Sequence, residues 1–246
     1  MTVRVVRYDV VMPNADARPP LWIKVCGLVD VDNAVAVAAA GVDAIGLNFY
    51  PKSRRVVDVP AAAAIVDAAA EAVGSRCQPV GLFVNASADQ IAETCGRTGI
   101  RVVQLHGDES DADLAAVSKL VEVDRVIRAL RVRQIADLEW GPSRPPVDRL
   151  LLDALSDSGY GGTGMRLDWT QLPQARSRAA VASVILAGGL TPSNVADAVR
   201  LAQPDGVDTA SGVEDRPGWK TIDAVRSFVS AARDAHRLLA ASGSSA

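Results

Sequence analysis

Apolar runs of strand length recur along this chain roughly every 20 to 36 residues, and an alanine-rich amphipathic stretch follows most of them. That cadence predicts repeated βα units. Eight runs are present: Trp22 to Cys26, Asp43 to Phe49, Pro79 to Val84, Arg101 to Leu105, Arg125 to Leu130, Arg149 to Asp153, Ser183 to Ala187 and Gly206 to Thr209. Most place Val, Ile and Leu at successive positions rather than in alternation with polar residues, as strands buried on both faces do, so parallel pairing is expected. Helix starts are marked by Asp30 ahead of Asn33 to Ala40, by Ser87 ahead of Gln90 to Cys95, and by Thr191-Pro192, a cap followed by proline in the first helical position. Gly41 and Gly99 stand where helices end. From Trp219 to Leu239, the residues Ile222, Val225, Phe228, Val229 and Ala232 keep helical spacing and close an eighth unit. The expected fold is therefore α/β, a single-domain (β/α)8 or TIM barrel. A doubly wound sheet competes less well because no GxGxxG follows the first strand.

Composition narrows the partners. A chain of 246 residues, 49% hydrophobic, can bury one large core but is short for two ordinary domains. A net charge of -3 with scattered basic residues offers no field for nucleic acid, and no apolar stretch approaches a membrane span, which leaves small metabolites. Cys26, Cys77 and Cys95 lie far apart with no CxxC pair, suiting a reducing cytoplasm rather than a disulfide framework or zinc knuckle. Two histidines are too few for a histidine-rich metal site. Residues 1–20 end in Arg18-Pro19-Pro20 and read as an appended arm, residues 21–240 as the barrel and 241–246 as a tail. Monomer and homodimer both remain open.

In such barrels chemistry collects where strands end. The first strand closes on Lys24-Val25-Cys26-Gly27; alternation puts Lys24 and Cys26 on one face, assigned inward, where the ammonium would bias the thiol toward thiolate. A small buried hydrophobe is the plain alternative for the cysteine. Asp153 closes the apolar sixth strand, where burial would suit a general acid, although a helix cap or an arginine partner would explain it too. Glycine loops follow the last three strands: Gly161-Gly162-Thr163-Gly164, Gly188-Gly189 and Ser211-Gly212. After strands seven and eight, bare amides can seat a phosphate, while ordinary turn geometry is the default. Tyr50-Pro51-Lys52-Ser53-Arg54-Arg55 could clamp a carboxylate or be a solvated charge cluster. Gln104 and His106 share an inward parity, the histidine more suited to holding a neighbour than to reacting.

Taken in order, Lys24-Val25-Cys26-Gly27, Phe49-Tyr50-Pro51-Lys52-Ser53, Gly81-Leu82-Phe83-Val84-Asn85, Gln104-Leu105-His106-Gly107, Gly161-Gly162-Thr163-Gly164 and Ser211-Gly212-Val213-Glu214 resemble the phosphoribosylanthranilate isomerase family from Trp22 to about Val229. The resemblance implies the Amadori rearrangement of N-(5-phosphoribosyl)anthranilate in tryptophan biosynthesis, with Asp153 as general acid, Cys26 as general base, and neither cofactor nor metal. It implies further that Arg55 holds the anthranilate carboxylate, that Gln104 contacts substrate, that Asp208 meets ribose hydroxyls, and that Gly162, Gly188, Gly189, Ser211 and Gly212 seat the phosphate. Met165 stands where the family often has lysine, Thr209 and Ala210 vary the approach to Ser211, and Thr221 replaces a common acidic residue. A related bifunctional sugar isomerase that also takes the histidine-pathway aminoaldose uses aspartate at the position of Cys26. A barrel that binds phosphate without catalysis would have no need of both proton-transfer residues.

Overall fold

A computed structural model describes residues 19–135, 140, 144–145, 147–154, 167–178 and 183–243. Eight parallel strands close into a barrel in sequence order: β1 (Trp22–Cys26), β2 (Ala44–Asn48), β3 (Gln78–Phe83), β4 (Val102–Leu105), β5 (Arg125–Val132), β6 (Arg149–Ala154), β7 (Val184–Leu186) and β8 (Gly206–Thr209), with β8 pairing back to β1. The helices are α1 (Val31–Ala39), α2 (Val59–Val73), α3 (Ala88–Thr98), α4 (Asp111–Val117), α5 (Leu172–Arg178), α6 (Val195–Ala202) and α7 (Ile222–Gly243). A hairpin of β9 (Glu214–Arg216) and β10 (Trp219–Lys220) lies between β8 and α7.

The uninterrupted apolar runs have the expected cause. Outward residues such as Ile23, Val25, Ile45, Leu47 and Val103 pack under the helices, while Ala44, Val80, Val102, Leu151 and Ile185 fill the interior. Strand bounds shift by a residue or two from expectation, and β5 runs on to Val132. Asp30 and Ser87 cap α1 and α3 as expected, the latter in a capping box with Gln90. Gly99 ends α3 in the left-handed region.

Thr191-Pro192 opens a turn that leads into α6. Residues 192–194 form that turn, with the Val195 amide donating to the Thr191 carbonyl at 3.0 Å, and the regular helix begins at Val195, three residues later than expected. Asn194 Oδ1 accepts from the Thr191 amide at 2.8 Å, the reach-back of a capping box, and its Nδ2 donates to the Gly189 carbonyl at 2.9 Å. The second bond ties the start of α6 to the glycine loop.

One device recurs at the floor of the barrel. Asp43, Asp148 and Asp205 precede β2, β6 and β8, and each accepts the backbone N–H of the preceding strand, from Ile23, Val126 and Val184, at 2.7 Å. In return their own amides donate to the carbonyls of those residues at 2.8, 3.1 and 2.9 Å. Strands are thus clamped in pairs at the end away from the catalytic rim, where the Arg149 guanidinium also covers the Trp22 ring at 4.4 Å. Asp205 additionally holds Arg176 at 2.9 Å. Asp205→Ala leaves a strand donor without its partner and is expected to destabilise the fold by about 2 kcal/mol without changing turnover. Urea unfolding and initial rates check the two halves. No helix among the described residues is long and apolar enough to cross a membrane.

Candidate active site

At the carboxyl ends of the strands lies a cleft of about 860 Å³ counted out to its mouth. Cys26, Arg55, Gln104, Asp153, Gly188, Gly189, Asp208, Ser211 and Gly212 all line it. Gly162, with the rest of its loop and Met165, lies outside the described residues, as do residues 1–18.

The first wall is built on β1. Period-two alternation turns Lys24 and Cys26 inward, and both lean over Gly46 of β2; a Cβ there would sit 2.6 Å from Cys26 Sγ and 3.1 Å from Lys24 Cε. Only glycine leaves room for the thiol. Lys24 is fully buried and its Nζ donates to Asp208 Oδ1 at 2.9 Å across the β1–β8 register. Burial opposes the ammonium, but Asp208 and Cys26 more than offset it and hold its pKa above the ordinary value. The sequence leads one to expect a thiol biased toward thiolate. The net direction is the reverse: burial pushes the Cys26 thiol up, against the pull of Lys24 and Lys220. Burial thus outweighs the neighbouring cations at Cys26, while the ammonium beside it is the group that favours the thiolate.

Three strands round the ring, β6 presents Asp153, its side chain 17% exposed. Asp153 Oδ2 lies 3.3 Å from His106 Nε2, and Gln104 Nε2 lies 2.9 Å from His106 Nδ1. On its other side Asp153 Oδ1 faces Gly188, whose added Cβ would come within 2.9 Å of it. Asp153 therefore has one oxygen on a histidine and the other toward the glycine loop.

Arg55 reaches the cleft in an unexpected way. Its Nε and Nη2 donate to Glu214 at 2.8 and 2.7 Å, a bidentate pair at the end of β8's loop. Nη1 is the guanidinium nitrogen that Glu214 does not take. Glu214 also accepts from Lys220 Nζ at 2.6 Å and from the Gly218 amide at 3.0 Å. Burial alone would raise its carboxyl, but Arg55 and Lys220 win and hold it below the usual range. Lys220 in turn donates to the carbonyls of Cys26 at 2.6 Å and Ala210 at 3.1 Å. The β9–β10 hairpin thus ties the ends of β1 and β8 together and orients Arg55. A side chain on Gly27, at φ +82, would overlap Arg55 Cδ. Glu214 and Lys220 belong to segments that stood out in the sequence, yet nothing local shows that they meet Arg55. Asn48 was missed as well: its Nδ2 donates to Ser53 Oγ at 3.0 Å and its Oδ1 accepts from the Tyr50 amide at 2.9 Å, shaping the loop that delivers Arg55. Its only signal is a polar residue at the inward parity of β2.

The third wall is backbone. Gly188 and Gly189 have φ of +84 and +66, a conformation that L residues resist, and they turn the chain beside the Ser211-Gly212 loop. Gly212 abuts the Leu190 carbonyl so closely that a Cβ would overlap it. Thr209 Oγ1 donates to that same carbonyl at 2.8 Å, fixing the two loops to each other. The result is an amide-lined corner suited to an anion. Among the described residues no three His, Cys, Asp or Glu side chains gather as metal ligands.

Residues 23–231 match the family model described as N-(5'phosphoribosyl)anthranilate (PRA) isomerase. An N-(5'-phosphoribosyl)anthranilate isomerase from Myxococcus xanthus is 44% identical over 219 residues, which cover 86% of this chain and 95% of that protein. Among solved structures, the phosphoribosyl anthranilate isomerase of Thermotoga maritima is similar with a TM-score of 0.72 at 31% identity, covering 87% of this chain and 99% of that one. A further structure, of a phosphoribosyl anthranilate isomerase in complex with reduced 1-(o-carboxyphenylamino)-1-deoxyribulose 5-phosphate, has a TM-score of 0.70 at 27% identity with the same coverage.

Proposed function

Because the chain belongs to the N-(5'-phosphoribosyl)anthranilate isomerase family, we propose that Cys26 and Asp153 carry out that family's step of tryptophan biosynthesis within this one cleft. The observation that supports the reading is that a thiol and a carboxyl line the same cavity, with an amide corner and a guanidinium on its rim. The substrate joins a phosphorylated furanose to an aniline nitrogen. Asp153 gives its proton to the ring oxygen as the nitrogen lone pair expels it, so the C1–O bond breaks and an iminium forms. Cys26, as thiolate, takes the C2 proton, and the C2–H pair moves to neutralise the iminium. The resulting enolamine becomes the aminoketose when its C2 hydroxyl loses a proton and C1 gains one. Atoms and electrons balance without a redox partner. Gly188, Gly189, Ser211 and Gly212 seat the phosphate, Asp208 meets the sugar hydroxyls with the oxygen that Lys24 leaves free, and Arg55 takes the anthranilate carboxylate through Nη1. The buried, unpaired Cys26, Cys77 and Cys95 suit a cytoplasmic enzyme.

Expression of the chain is expected to restore growth without tryptophan to a bacterial auxotroph lacking this isomerase, and purified protein is expected to consume N-(5-phosphoribosyl)anthranilate. A stable, folded preparation with no turnover and no rescue would overturn the reading.

A further inference from the structure

The geometry points to Gln104 as a positioning residue that acts through His106 on the carboxyl of Asp153, and not as a contact for substrate. This rests on the reading of Asp153 as the general acid.

Gln104 sits on β4 inside the barrel, fully buried, with its amide Nε2 2.9 Å from His106 Nδ1. An amide NH2 donates and cannot accept, so Nδ1 is the bare nitrogen. In the neutral ring the proton then belongs to Nε2, which faces Asp153 Oδ2 at 3.3 Å. The opposite amide orientation would put a proton on Nδ1 and leave an Nε2 lone pair against the carboxylate, which is repulsive whenever Asp153 is ionised.

Two further observations bear on this. Gln104 Oε1 is buried with no hydrogen-bond partner among the described residues. A leucine would fill this place without an unmet acceptor, so packing alone does not account for an amide here; its N–H toward His106 does. The histidine backbone is also fixed. Its amide donates to the Phe83 carbonyl at 2.9 Å, and the Gly107 amide donates to both oxygens of Glu109, at 3.0 and 2.9 Å. Arg128 of β5 binds that same Glu109. With the main chain held, Gln104 holds the ring at one end and Asp153 faces it at the other. The other ionised groups facing it, Asp208 and the Lys24 behind it, are already paired with each other.

The consequence is a choice between two oxygens. Nε2–H faces Oδ2 of Asp153 at 3.3 Å, a charge–dipole contact and not an aligned hydrogen bond, so the transferable proton of the acid belongs on Oδ1, the oxygen that faces Gly188 and the substrate corner. When that proton leaves, the Nε2–H dipole stabilises the carboxylate left behind.

The test uses the full chain labelled with 15N-histidine. It has two histidines, and a His236→Gln variant assigns them. At about pH 8.5, above the ordinary imidazole range, His106 is expected to show a protonated Nε2 and a bare Nδ1. Gln104→Glu, which offers only acceptors, is expected to move the proton to Nδ1 and to lower kcat about tenfold or more with KM changed less than about threefold. Gln104→Leu is expected to lose the single tautomer and a similar share of kcat; if it fails to fold, the Glu variant and the wild-type spectrum still decide. An Nδ1–H wild-type ring, a Gln104→Glu protein with unchanged kcat, or an effect confined to KM would overturn the proposal. Asp153→Asn separates the two readings: full turnover in that variant removes the general acid itself, whereas an inactive variant beside an Nδ1–H ring removes only Gln104.

Discussion

Asp153→Asn is expected to lower kcat by about 10²- to 10⁴-fold, and Cys26→Ala by a comparable factor, while the reduced product analogue still binds within a few-fold. The amide of the first variant is the same size as the carboxyl and can still face His106, whose Nε2 lies 3.3 Å away in the parent, so the wall of the cleft is preserved. What it lacks is an acidic proton for the ring oxygen. The second variant removes the sulfur that lies over Gly46 and leaves the Lys24–Asp208 pair in place. Because the two groups serve one sequence of proton transfers, the double variant should be little worse than the poorer single one. Single-turnover rates and calorimetric titration with the analogue measure both quantities. Unchanged turnover in Cys26→Ala would assign base catalysis to another group, and loss of analogue binding in either variant would mean that they damage the cleft and not the chemistry.

The barrel was legible because its determinants are local and repeated. Most strands carry enough consecutive apolar residues to be buried on two faces, and β1 and β8 begin and end where the sequence places them. Caps with a short-range hydrogen bond, such as Asp30 to the Asn33 amide and Ser87 to the Gln90 amide, were readable for the same reason. Thr191-Pro192 marked the approach to α6 but not its first regular residue, and the bond from Asn194 to the Gly189 carbonyl is a contact that spacing does not reveal.

Within the site, positions were readable and states were not. Alternation correctly placed Lys24 and Cys26 together inside, but whether an ammonium or burial governs the thiol depends on depth, and depth belongs to the closed barrel. Arg55 was singled out as a carboxylate clamp without its partner, since Glu214 lies 159 positions further along the chain. The hairpin that carries Glu214 and Lys220 is too short to announce itself by periodicity, and its purpose appears only where Lys220 reaches the Cys26 carbonyl. Glu214 holds two guanidinium nitrogens in one plane and so fixes the third; in the proposed role of Arg55 as a carboxylate clamp, that would lessen the entropy that binding must overcome.

Lys24→Met is expected to destabilise the protein by about 3–5 kcal/mol, since it strips the hydrogen-bonded ammonium from a carboxylate that is itself buried. Asp208 must then protonate or remain uncompensated, and burial already pushes its carboxyl up. The sign of the pH dependence follows. An acid whose pKa is higher in the folded than in the unfolded chain binds more protons when folded, so the variant's stability should fall as pH rises above the ordinary aspartate range and its deficit should shrink on acidification. Adding Asp208→Leu to Lys24→Met should restore most of the loss, because two apolar side chains meet no unpaired charge. Turnover should not return with it: the proposed Asp208 contact with the sugar is gone, and Cys26 would then ionise in a dry interior without the ammonium that now lies beside it. Urea unfolding across pH gives the stabilities and initial rates give the rest. If Lys24→Met unfolds at the same urea concentration as the parent, the ion pair contributes nothing to the fold, and if the double variant turns over normally, Lys24 has no part in ionising the thiol.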